Sequence, residues 1–297
     1  MEIGLIDVDG HHFPNLALMK ISAYHKSKGD SVEWWNGLKH YNRVYQAKVF
    51  DETYTKDNEY VVDCDELIKG GTGYGLSNVL PDEIEHIYPD YSLYRITETA
   101  YGFLTRGCPR HCKFCIVGDK EGLISHKVAD LREFWRDQKN IEILDPNILA
   151  SRQRMELLEQ LIYSKAHVNF NQGLDVRFCN KDVIDLLNHI KMNRIHFAWD
   201  NYEFNTYKKL TEVRDWLDIR QKDSVVYVLT HFNTSTEEDL DRIYKLKDLG
   251  YEPYVMIYDK PHAPKITKDI QRWCNCKWIF HKVDWFDDYK KGELNNG

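Results

Sequence analysis

Apolar positions along the chain fall into two kinds of segment, short compact runs and longer stretches with helical spacing. Beyond residue 140 the two alternate regularly. Ile141 to Leu144 precedes Arg152 to Lys165, and Val168 to Asn171 precedes Lys181 to Lys191. Arg194 to Trp199 precedes Phe204 to Leu217, Ser224 to Thr230 precedes Glu237 to Leu249, and Glu252 to Tyr258 closes the series. The compact runs predict strands and the spaced ones predict helices: Leu157, Leu158, Leu161 and Ile162 form one apolar stripe, and Val183, Leu186, Leu187 and Ile190 form another. Ser235 and Glu238 have capping-box spacing ahead of the last of these helices, and Gly250 ends it. Such alternation means parallel strands joined by crossover helices. With Tyr101 to Arg106 as the first, the strands number six.

The first ninety-odd residues repeat the pattern on a smaller scale. Residues 2 to 9 read as a strand covered on both faces. Pro14 opens a helix in which Leu16, Met19 and Ala23 recur at helical spacing, Gly29 closes it, and Ser31 to Trp35 returns as a strand. Arg43 to Phe50 and Glu66 to Lys69 add two more, giving a small open Rossmann-like α/β sheet. Gly70 to Gly75 invites a phosphate-loop reading, but G-x-x-x-x-G-K-[ST] is missing, so the stretch predicts a tight turn at the sheet edge. Pro81 to Tyr94, polar and aromatic between prolines, reads as the linker, which divides the chain into domains 1–94 and 95–297.

Composition narrows the class without naming the chemistry. With 297 residues, 42% hydrophobic and 29% charged, the chain is an ordinary globular protein that holds one large core or two modest ones. No apolar run approaches membrane-spanning length, and the start lacks the pattern of a signal peptide, so a cytoplasmic protein without membrane contact is expected. A net charge of −7 disfavours a broad basic face, and nucleic acid is not indicated as a partner. Seven cysteines, three of them in one cluster, argue for a reducing compartment over a disulfide framework.

That cluster is Cys108, Cys112 and Cys115, spaced C-x3-C-x2-C within Arg106-Gly107-Cys108-Pro109-Arg110-His111-Cys112-Lys113-Phe114-Cys115. Three thiols in eight residues call for a metal, and a fourth ligand is missing. His111 could complete a Cys3His zinc site, and the apolar Phe114 and Ile116 suit a low-dielectric iron–sulfur pocket. A zinc- or cluster-stabilised interaction module without catalysis is the alternative that these residues leave open.

The spacing, the aromatic Phe114 just before the third thiol and the preceding Gly-Cys-Pro resemble the radical S-adenosylmethionine (radical SAM) superfamily. The resemblance implies a partial (β/α)6 TIM-like barrel, a [4Fe–4S] cluster on Cys108, Cys112 and Cys115, and SAM chelated at the open iron. It further implies an electron donor such as flavodoxin or ferredoxin, reductive cleavage of SAM to a 5′-deoxyadenosyl radical, and a substrate that the sequence does not identify. On this view the closing Trp278 to Tyr289 packs across the barrel's open side. The N-terminal segment resembles the cobalamin-associated members of the superfamily, but their D-x-H-x-x-G signature, whose histidine ligates cobalt, is not present: Asp7-Val8-Asp9 is followed by His11 and His12 out of place. A shrunken, cobalamin-free domain that serves as a wall of the substrate site or as an interaction surface is therefore expected. A methylthiotransferase is disfavoured because those relatives carry three further N-terminal cysteines, where this domain has only Cys64.

In parallel barrels, function sits at the carboxyl ends of the strands. Those ends carry Asp145 and Asn147, then Asn171, Gln172, Asp175 and Arg177, then Asp200 and Asn201, then His231 and Asn233, then Asp259 and Lys260. Phe114, Asp145, Asn147, Gln172, Asp175, Arg177 and Asp200 are the candidate SAM contacts: Phe114 as an apolar wall for adenine, Asp145 or Asp200 as acceptors for the ammonium or ribose hydroxyls. Leu144-Asp145-Pro146-Asn147 stands where the superfamily has Gly-Gly-Glu. Cys274 and Cys276 could be read as ligands of an accessory cluster, but two thiols are too few, and ordinary buried or edge cysteines are expected.

Overall fold

A computed structural model describes residues 1–10, 13–57 and 60–295, without the side chains of Phe204 and of residues 291–295. His11 and His12 lie outside the described residues. The N-terminal sheet is built from β1 (Glu2–Asp7), β2 (Ser31–Trp34), β3 (Tyr41–Ala47) and β4 (Cys64–Gly70), all parallel, in the order β2-β1-β3-β4. Helix α1 (Leu16–Ser27) packs Leu18 and Ile21 onto Ile3 and Leu5, while Ile6, Tyr41 and Val44 form a second small core on the opposite face. The helix starts one turn position later than Pro14 suggests, because the Asn15 side chain caps it by accepting the Leu18 N–H at 3.2 Å.

The strand order reverses between β1 and β3, the place where open α/β sheets form a crevice. Here Asp9 bridges that crevice, its carboxylate accepting the Val49 and Phe50 N–H groups at 2.8 Å. The glycine stretch is a tight turn, as its sequence predicts. The N–H groups of Gly73, Tyr74 and Gly75 donate to the carbonyls of Lys48, Gly71 and Thr72, so none of the three is free to cradle a phosphate. Gly71 is at φ +95°, with the Lys48 carbonyl 2.3 Å from where a Cβ would stand, and no other residue fits there.

Between the domains, α2 (Asp82–Glu85) and the turn Tyr91–Tyr94 are packed, where the sequence reads as a linker. Ile84 lies in the N-terminal core and Tyr91 in the core of the second domain. The Tyr91 hydroxyl donates to the Phe134 carbonyl at 2.6 Å and accepts the Tyr101 N–H at 3.0 Å, and the Tyr94 hydroxyl donates to Asp7. This segment is a joint that belongs to both cores.

The second domain holds parallel strands β5 (Thr99–Gly102), β8 (Asn140–Ile143) and β9 (His167–Phe170) in one sheet and β10 (Ile195–Ala198), β11 (Ser224–Thr230) and β12 (Glu252–Ile257) in another. A parallel bridge between Leu174 and Phe197 joins them. The result is the partial six-stranded barrel of the sequence reading. Helices α4 (Arg154–Ser164), α5 (Lys181–His189), α6 (Phe204–Arg214) and α7 (Thr236–Asp248) follow β8, β9, β10 and β11. The core lies between strands and helices, where Ile141, Ile143, Phe170, Phe197, Val226 and Val228 meet Leu157, Leu161, Val183 and Leu187. The first strand is shorter than Tyr101 to Arg106: the chain breaks at Gly102, where the Phe134 ring would occupy a Cβ, and Thr105–Arg106 (β6) instead pairs antiparallel with His126–Lys127 (β7). Between β6 and β7 lie the three cysteines and the short helix α3 (Val117–Glu121).

The closing helices α8 (Lys265–Asn275), α9 (Lys277–Lys282) and α10 (Phe286–Asn295) pack Ile270, Trp273, Phe280 and Phe286 against Ile243 of α7 and Val255 of β12. They cover the barrel's last edge: the Asn275 side chain accepts the Val255 N–H at 2.8 Å, and the side-chain amides of Gln271 and Asn275 donate to the Val255 carbonyl. Cys274 is buried beside the Pro253 carbonyl and Cys276 is exposed. Among the described residues, no helix is long and apolar enough to cross a membrane.

Tyr91→Phe removes one hydroxyl and leaves a buried carbonyl and a buried N–H without partners. A loss of about 1–3 kcal/mol is expected. Urea unfolding followed by tryptophan fluorescence reads it, and an unchanged midpoint would mean that the joint contributes nothing to stability.

Candidate active site

Where the chain leaves β5 for the cysteine loop, one buried carboxylate holds it. Asp145, 4% exposed, accepts the Leu104 N–H at 2.8 Å, the Thr105 N–H at 2.6 Å and the Thr105 hydroxyl at 2.6 Å. Burial pushes its carboxyl up to about 7, although the three donors pull the other way. Asp145 was expected to accept from the SAM ammonium or the ribose hydroxyls; both its oxygens instead accept backbone N–H groups, and it is a positioning residue for the loop. Glu121 does similar work at the other side. Its carboxylate accepts from Arg106 at 2.7 Å and from the Gly107 N–H at 3.1 Å, and Cys108 N–H donates to the Gly122 carbonyl. Gly107 has φ +84°, and a Cβ there would stand 2.2 Å from the Ile124 carbonyl, so the Gly before Cys108 is a packing requirement.

Cys108, Cys112 and Cys115 are each partly buried. Burial raises the Cys112 and Cys115 thiols above the ordinary range, and the neighbouring thiols and Asp200 add to the rise. Arg110 opposes it at Cys112, and the Val117 N–H opposes it at Cys115. Among the described residues, no three Cys, His, Asp or Glu side chains are gathered as a metal-ligand set, these thiols included. Their identity nonetheless fits a three-thiolate cluster. Partly buried thiols such as these are groups a cationic metal centre stabilises as thiolates, and the surrounding N–H donors match: the Asn147 amide lies 3.4 Å from Cys108 Sγ and the Val117 N–H bonds Cys115.

Around the loop, four of the candidate SAM contacts come together. Asn147, held through its own carbonyl by the Ser125 hydroxyl, also donates to Asp175 at 3.3 Å. Its amide nitrogen faces Cys108 and Asp175, and its Oδ1 is buried without a partner, a spare acceptor on the same side chain. Asp175 is clasped by Arg177 at 2.6 and 3.1 Å. Asp200 is partly buried, and burial pushes its carboxyl up to about 6 against the pull of Arg242 and Arg177. An amide acceptor, a carboxylate–guanidinium pair and a second carboxylate beside three thiols suit a zwitterionic ligand. Phe114 stands edge-on to Phe232 at 5.4 Å, and Phe232 to Tyr258 at 4.9 Å, so an aromatic row from the loop to the end of β12 borders the site. Gln172 is exposed. Asn233 bonds Asn201 at 2.9 Å, and Asp259 pairs with His262. His111, His231 and Asp259 all have positive φ, strain concentrated in the cysteine loop and at the ends of β11 and β12.

Arg242 of α7 went unnoticed in the sequence. Fully buried, it donates to the Trp199 and Leu229 carbonyls and to Asp239, and so pins the carboxyl ends of β10 and β11 beneath Asp200. Its signal was available: Arg242 lies in the stripe of Ile243 and Leu246, where a solvated arginine has no place. Glu121 gave none, since its partners lie fourteen and fifteen residues away. Arg242→Met should destabilise the fold by about 3–5 kcal/mol, because it leaves Asp239 buried and uncompensated. Adding Asp239→Asn should recover part of that loss; equal unfolding midpoints for the single and double variants would show the two residues to be uncoupled.

No family model and no curated protein matches the chain. Solved structures do. TsrM from Kitasatospora setae, a radical S-adenosylmethionine methyltransferase, matches with cobalamin and a [4Fe-4S] cluster bound at a TM-score of 0.61 and 10% identity, covering 86% of this chain and 75% of that one. The same enzyme with its tryptophan substrate and the SAM analogue aza-SAM matches at 0.61 and 11% identity, covering 86% and 72%. The matched share exceeds the barrel alone and reaches into the N-terminal domain. At this identity the likeness is one of fold, and the chain has the fold of a radical SAM methyltransferase: a partial barrel behind a Rossmann-like α/β domain.

Proposed function

We propose that the protein is a radical SAM enzyme, with Cys108, Cys112 and Cys115 holding a [4Fe–4S] cluster and Asn147, Asp175, Arg177 and Asp200 receiving SAM. The observation that carries this reading is the placement of a C-x3-C-x2-C loop at the carboxyl end of the barrel's first strand, with those four polar side chains beside it. When bound, the cluster supplies the electron that cleaves the SAM sulfonium reductively to the 5′-deoxyadenosyl radical. The chain's own residues do the rest. Asp145 and Glu121 fix where the loop begins and ends, Asn147 offers an acceptor and a donor next to Cys108, and the Asp175–Arg177 pair presents opposite charges to the two ends of an amino acid zwitterion. Phe114, Phe232 and Tyr258 keep water from one side. Holding SAM at a fixed place beside the electron source makes a bimolecular step effectively intramolecular. An external one-electron donor such as flavodoxin or ferredoxin would serve in the cytoplasm.

Anaerobic reconstitution should load roughly four irons with acid-labile sulfide per chain, the content of one cubane. The reduced protein should then release methionine and 5′-deoxyadenosine slowly. Cys112→Ala should lose the iron. Asp200→Ala should keep it and weaken SAM binding by about 1.5–3 kcal/mol, the worth of one charge-assisted hydrogen bond. One zinc per chain in place of iron, or no 5′-deoxyadenosine from cluster-loaded protein, would overturn the reading in favour of an interaction module.

We also propose that the N-terminal domain works without cobalamin, as a wall of the substrate site. The bond from Asp9 to Val49 and Phe50 across the switch-point crevice supports this, as does the engagement of Asp7 by Tyr94. Hydroxocobalamin mixed with the protein should separate from it on gel filtration; a stoichiometric, spectrally shifted complex would show the opposite.

A further inference from the structure

Parallel barrels usually fill their interior with branched aliphatic side chains. This one does not. On β8, Ile141 and Ile143 face the helices, and alternation turns Glu142 into the lumen. The pairing register sets Tyr101, Glu142 and Asn169 side by side in one layer. Asn169 donates from one amide nitrogen to Glu142 Oε2 and to Asn171 Oδ1, both at 2.7 Å. Beyond the Leu174–Phe197 bridge, the register aligns Ala198, Tyr227 and Tyr254 on the continuing strands. Tyr254 is 44% exposed, so the barrel is open to solvent on this side. From the N-terminal domain, Phe13 rests edge-on against Tyr101 at 5.3 Å and is itself half exposed.

We infer that this lumen receives a protonated amine of the substrate, with the Glu142 carboxylate as its counter-ion and the rings of Tyr101 and Phe13 as its walls. The inference rests on the proposed enzymatic reading and adds the class of substrate: a small molecule bearing a primary or secondary ammonium. Among the described residues, no Lys, Arg or His forms an ion pair with Glu142, which is partly buried and bonded only through neutral amides. Burial raises its carboxyl; burial first, and then the Glu142 charge, raises the Tyr101 phenol, so the two groups lie within electrostatic reach. A desolvated carboxylate with no cationic partner among the described residues, beside the Tyr101 ring, is met best by an ammonium: the charge-assisted hydrogen bond goes to Glu142, and the remaining C–H and N–H face goes to the rings of the site. On this inference Phe13 is what the N-terminal domain contributes to the site.

The test uses the full chain and two probes of the same shape, phenethylammonium and its neutral analogue 2-phenylethanol, titrated by calorimetry at pH 7. The ammonium should bind about tenfold or more tightly than the alcohol, as a charge-assisted bond with a cation–π contact requires. Glu142→Gln keeps the acceptor for Asn169 and removes the charge, so the preference should vanish while the melting temperature stays near that of the wild type. Equal affinity of the two probes for the wild type, or no binding of the ammonium, overturns the inference, and so does a preference that survives in Glu142→Gln. Should that variant unfold, the wild-type comparison still decides. Release of 5′-deoxyadenosine, measured separately, reports on the enzymatic reading: ammonium preference without it keeps the amine site and removes the radical chemistry.

Discussion

Everything at the functional end depends on one desolvated carboxylate. Asp145 sits at the end of β8 and binds two consecutive backbone N–H groups just after β5, so it ties neighbouring strands together at the point where their hydrogen-bond ladder has ended. Without that tie, Leu104 and Thr105 would have buried donors and no acceptor, and the chain would have no reason to turn out of the barrel there. The turn starts β6, β6 pairs with β7, and the resulting hairpin is the base on which the cysteine loop stands. A loop of this kind contributes little core of its own, and its geometry comes from its two anchors, Asp145 and Glu121.

How far the sequence could be read follows from the range of the interactions involved. The six barrel strands, their helices and the capping box at Ser235 depend on spacing within a few residues, and each was legible. The spacing of the cysteines could be read for the same reason, and the ligand role it suggests belongs to the proposal. The role of Asp145 was not, because a carboxylate at a strand end looks alike whether it faces a ligand or the backbone forty residues earlier. Tyr91 and Ile84 misled in another way: the polar, proline-flanked run around them has a linker's composition, and only the tertiary fold buries those two side chains in separate cores. The break after Gly102 had no local mark except the glycine, whose meaning lies in the Phe134 ring that lies against it.

The two domains are coupled more closely than their separate sheets suggest. Tyr91 bonds to the backbone beside β5, Tyr94 reaches back to the end of β1, and Phe13 lies on Tyr101. All three contacts meet near the first barrel strand, the one that leads into the cysteine loop. The N-terminal sheet is thus connected through packed side chains to the strand that leads into the loop.

The side-chain caps on β12 have a consequence for how the chain can be cut. An open barrel ends in a strand whose outer N–H and C=O groups would template another strand, and here Gln271 and Asn275 close them with amides from a helix that follows in sequence. A fragment that stopped at Tyr258, where the strand and helix alternation ends, would carry every barrel strand and every thiol of the loop, and would still present a bare sheet edge beside the uncovered Ile243 and Val255. During synthesis that state lasts until the segment holding α8 to α10 has emerged, and a fragment trimmed to the barrel alone would keep that edge open to pairing with another chain.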